Sequence, residues 1–132
     1  MVLVVELGTF AIDDFTGVKY ISALGDPGKY NTFVFPVGTP YQVEAGKTLR
    51  IGKLQFSSDT GPSALSIGYG DTVVVDSVAP PVNAVYPDGW FSVEVAYRFC
   101  ECKVYFIIPA GKYPFMYSLG GVINCHLLGN EQ

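Results

Sequence analysis

Trp90-Phe-Ser-Val-Glu-Val-Ala-Tyr-Arg-Phe-Cys-Glu-Cys-Lys-Val-Tyr-Phe-Ile-Ile108 is the stretch whose reading decides the fold. In its first half Phe91, Val93, Val95, Tyr97 and Phe99 take the odd positions, with Ser92, Glu94 and Arg98 between them. From Cys100 the parity reverses, and Cys100, Cys102, Val104, Phe106 and Ile108 alternate with Glu101 and Lys103. Successive side chains on a strand point to opposite faces, so an unbroken strand would turn half of this apolar set towards water. The chain must bulge or turn near residues 99–101. That gives two strands, or one long strand passing a corner between sheets.

Working outward, the same style recurs. Residues 2–7 and 18–24 read as short strands, and Gly25-Asp-Pro-Gly28 is a strong turn signal. Phe33, Phe35 and Val37 alternate with Thr32 and Pro36, which predicts a half-buried strand near an edge, because proline cannot donate to a ladder. Leu49 and Ile51 share one parity and Leu54 and Phe56 the other, so Gly52-Lys53 marks a bulge. Residues 57–63 form a polar loop, 65–69 and 73–78 follow as strands, and 79–89 make a long irregular connection suited to surface function. One tripeptide occurs twice: Ala45-Gly46-Lys47 follows Tyr41-x-Val43, and Ala110-Gly111-Lys112 follows Phe106-x-Ile108. Each copy is an alternating strand end running into a glycine turn, which implies two similar β-units in one body.

Composition agrees. The 132 residues suit one domain over 1–132, and 49% hydrophobic against 15% charged residues is the opposite of a disordered chain. With 15 Gly, 9 Pro, 9 Tyr and 9 Phe, turns and strands are favoured over helices. The expected class is all-β: an antiparallel β-sandwich of jelly-roll-like form. Net charge is −4 and the eight basic residues are scattered singly, so no stripe exists to neutralise nucleic-acid phosphates. No apolar run approaches a membrane span. The opening Met-Val-Leu-Val-Val-Glu6 lacks the basic start of a signal peptide, so a virion or host-cytoplasmic location is expected. So apolar a 14.3 kDa chain is expected to cover part of its surface with further copies of itself, a trimer being favoured.

Motifs with chemical meaning are few. Gly46-Lys47-Thr48 matches the end of a phosphate-binding loop, but Tyr41 stands where its first glycine belongs and a strand follows where a helix should. Ile67-Gly-Tyr-Gly-Asp71 resembles a potassium-filter string without the membrane helices that string requires. Cys100 and Cys102 share a strand face and are of metal-ligating type. Cys125 and His126 are sequence neighbours and would point to opposite faces. Sharing a face with Val104 and Phe106 marks Cys100 and Cys102 as buried thiols, and no metal or other cofactor is assigned. No catalytic residue is assigned either; Asp13, Asp14, Asp71 and Asp76 read as turn and surface groups. Tyr86-Pro-Asp-Gly-Trp90 is the best recognition candidate, with Tyr86, Asp88 and Trp90 as contact residues for a ligand or partner.

Val43-Glu-Ala-Gly-Lys-Thr-Leu-Arg-Ile51 and Ile108-Pro-Ala-Gly-Lys112 resemble a phrase of small β-sandwich virion proteins of tailed bacteriophages. The resemblance implies a non-enzymatic structural or attachment component: head decoration, tail or fibre, often homotrimeric. No coiled-coil or collagen-like segment is visible, so any trimer must form through the β-domain. The alternatives are a carbohydrate-binding module using Trp90 and Tyr86, and a small hydrolase drawing dispersed carboxylates together.

Overall fold

The computed structural model describes residues 18–86, 90–93, 96, 97 and 99–132. The strand expected over 2–7 and the acids Asp13 and Asp14 lie outside these. The described residues form eight strands: β1 (Val18–Gly25), β2 (Tyr30–Thr32), β3 (Leu49–Ser58), β4 (Ser63–Gly70), β5 (Trp90–Val93), β6 (Cys100–Ile108), β7 (Tyr113–Leu119) and β8 (Ile123–Glu131). They build two four-stranded antiparallel sheets, ordered β1-β8-β3-β6 (sheet A) and β2-β7-β4-β5 (sheet B). The chain changes sheet at every connection except β4 to β5, which gives the interleaved order of a jelly roll.

The reversal of parity near residue 100 is that change of sheet. Trp90–Val93 belongs to sheet B and Cys100–Ile108 to sheet A. Between them Tyr97 takes a φ of 58°, and its amide is held 2.7 Å from the Ser58 carbonyl. After the corner Val104, Phe106 and Ile108 face inward while Glu101, Lys103, Tyr105 and Ile107 face outward. The bulge at Gly52 is also present: the register of β3 shifts between Ile51 and Lys53 against both neighbours. The shift keeps Leu49, Ile51, Leu54 and Phe56 all in the core. Burying side chains of this size contributes roughly 1.5–3 kcal/mol each. From sheet B the core receives Leu65, Ile67 and Met116, and from β8 Ile123, Cys125 and Leu127.

The two Ala-Gly-Lys copies are four-residue turns of the same kind. Lys47 N–H donates to Glu44 O at 3.1 Å and Lys112 N–H to Pro109 O at 3.4 Å. Gly46 and Gly111 take φ of 80° and 79°, the left-handed third position that a type II turn gives to glycine. The turns are neighbours: Val43 N–H donates to Lys112 O (3.0 Å), Gly111 N–H to Val43 O (2.8 Å), and Gln42 Nε2 to Gly111 O (3.0 Å). One turn delivers the chain into β3, the other into β7.

Three expectations need correction. Residues 33–37 are not a strand. Phe33 is buried, but the Phe35 amide bonds Thr39 O (2.9 Å) and the Thr39 amide bonds Pro36 O (3.0 Å), so the chain doubles back around Val37, which is 99% exposed. Two prolines and Gly38, at φ 78°, outweigh the alternation. Residues 73–78 are not a regular strand either. The chain runs beside the edge of β2 as an irregular strap, with Thr32 N–H donating to Val74 O and Tyr30 exchanging two backbone bonds with Ser77. Asp76 at φ 45° breaks it, and Val73, Val75 and Val78 stay exposed. Finally the polar loop is shorter than 57–63, because Ser57 and Ser58 close β3 and Ser63 opens β4.

Candidate functional site: an aromatic face under a strap

Sheet B turns Leu65, Ile67, Met116 and Ser118 inward, so the alternate residues of each strand belong to its outer face. On β7 these are Tyr113, Phe115, Tyr117 and Leu119, and on β4 Ala64, Ser66, Gly68 and Gly70. Register aligns them across the sheet. Tyr30 lies opposite Tyr117, Tyr117 opposite Ser66, and Ser66 opposite Trp90. The next row sets Thr32, Phe115 and Gly68 side by side.

The irregular connection after β4 crosses this face. It leaves Gly70, follows the edge of β2 over residues 74–77, then returns to the edge of β4, where Val85 and Tyr69 exchange two backbone bonds (2.8 and 2.9 Å). Only glycine fits beneath it. A Cβ on Gly70 would lie 2.6 Å from Pro81, and one on Gly68 would meet the Val85 carbonyl and the Phe115 ring. The strap is latched at its start. Asp71 accepts from Lys112 Nζ and, at 2.7 Å, from Asn83 Nδ2, and its amide donates to Val82 O at 2.8 Å. Lys112, acting first, and Asn83 hold the Asp71 carboxyl below the usual carboxylate range. The lysine of the second Ala-Gly-Lys copy is therefore a latch. In the first copy Lys47 pairs, among the described residues, with Glu44 of its own turn, at 3.1 Å.

Tyr86, the last described residue of the strap, is 45% exposed. Its ring stands edge-on to Phe115 (centroids 5.4 Å, 89°) and its hydroxyl donates to the Tyr30 hydroxyl at 3.2 Å. Burial first, and the Tyr30 hydroxyl second, push the Tyr86 phenol up to about 12. Tyr30 in turn packs on Tyr117 (4.4 Å) and Phe115 (5.7 Å). Phe115 is wholly covered. Of the three contact residues expected from the sequence, Tyr86 joins this cluster and Trp90 stands in its row. Asp88 lies outside the described residues. Tyr30, Phe115 and Tyr117 were missed, although Tyr113-Pro-Phe-Met-Tyr117 places three aromatics on one strand face.

The outer face of sheet A is different in kind. Tyr20 Oη donates to Gln55 Oε1 (2.8 Å), Gln55 Nε2 donates to Glu101 Oε2 (2.8 Å), and Lys53 Nζ lies 3.4 Å from Glu101. The Gln55 bond, with Lys53 behind it, lowers the Glu101 carboxyl. His126 stacks on Tyr20 at 5.0 Å, and burial lowers its pKa. Cys125 faces the core instead, so it and His126 do point to opposite sides of β8. Cys100, Cys102 and Cys125 form no disulfide; Phe56 separates Cys100 from Cys125 in their shared row. Burial raises the Cys102 and Cys125 thiols. Searches against family models and against curated proteins found no match to this chain.

Proposed function

We propose that this protein is a non-enzymatic structural or attachment subunit that assembles with copies of itself, in a trimer, as a component of a bacteriophage virion. One observation carries the reading. The strap over residues 73–85, bonded to the edges of β2 and β4, exposes Val73, Val75, Val78, Val82 and Val85. Five exposed valines on one strap mark a surface built to be covered. A strap tied down by Asp71, Asn83, Thr72 and Lys112 presents them in a fixed shape.

The virion assignment is supported by the turn phrase used twice and by a jelly-roll order that recurs in capsid and lectin domains. That second support is an analogy of fold, which by itself does not fix function. In light scattering at micromolar concentration the purified chain is expected to run as a multiple of 14.3 kDa. A mass of one chain would count against the reading.

A further inference from the structure

We draw no further inference here: the strongest candidate, the outer face of edge strand β6, where Tyr105 and Ile107 are exposed and Ile107 lies opposite Arg50 of β3, carries nothing because nothing in the structure shows what covers it.

Discussion

The two outer faces of this sandwich are built from the same alternation and have opposite characters. Sheet A faces outward with a chain of hydrogen bonds, Tyr20 to Gln55 to Glu101, closed by Lys53. Sheet B faces outward with phenyl and phenol rings, small residues on β4, and a strap laid over half of them. A polar outer face is what a half-buried sheet needs in order to meet water. An aromatic one needs a cover, and here the chain supplies part of it. The difference teaches that on sheet B the outer side is a second, smaller core, and that what the strap leaves uncovered is available for contact.

If that is so, substitutions should cost far more on one face than on the other. Phe115→Ala removes a ring with no exposure on the nominally outer side of β7. It should lower unfolding free energy in urea by about 3–5 kcal/mol, as for a core aromatic. A cost below about 1 kcal/mol would show that the strap does not enclose a core. Gly68→Ala should cost roughly 1–3 kcal/mol by overpacking, since its Cβ would sit 2.7 Å from the Phe115 ring and against the Val85 carbonyl. On sheet A, Gln55→Ala breaks two exposed hydrogen bonds and should cost less than about 1 kcal/mol.

Acid sharpens the same contrast. Asp71 and Glu101 both have lowered pKa values, so each contributes stability that is present above the ordinary carboxylate range and is lost as pH falls through its folded value. Below about pH 4 both contributions fade, but only loss of the Asp71 pairing should loosen the strap. Hydrogen exchange at the Val82 amide, which bonds Thr72 Oγ1 at 3.0 Å, should therefore quicken on acidification. Asp71→Asn should show the faster exchange already at neutral pH, and Glu101→Gln should not. Equal effects from the two would remove the latch from the account.

Much of this was legible in residues. The reversal of parity at Cys100 required a corner, and the structure puts a change of sheet there. The shift from Ile51 to Leu54 required a bulge, and the register slips at Gly52. Those inferences succeed because a strand has period two and a core tolerates no one-residue slip. The failures share a cause as well. Val73, Val75 and Val78 have strand composition and no core face, so composition alone misread a strap as a strand. Phe33, Phe35 and Val37 alternate, yet the prolines and Gly38 fix a tight reversal that alternation cannot override. The aromatic site was half legible. Tyr86 stands out locally, whereas Tyr30 meets it only through pairing of β2 with β7, a long-range fact that no local window contains.

The central claim is that the strap side of sheet B is where copies of this chain meet. It is tested most directly by light-scattering mass for three proteins: the unaltered chain, the strap variant Val75→Glu/Val78→Glu, and Ile107→Glu on the outer face of sheet A. The account predicts about three times 14.3 kDa for the first and third, and 14.3 kDa for the strap variant. A single-chain mass for the unaltered protein would contradict it, as would an assembly lost on Ile107→Glu and kept by the strap variant.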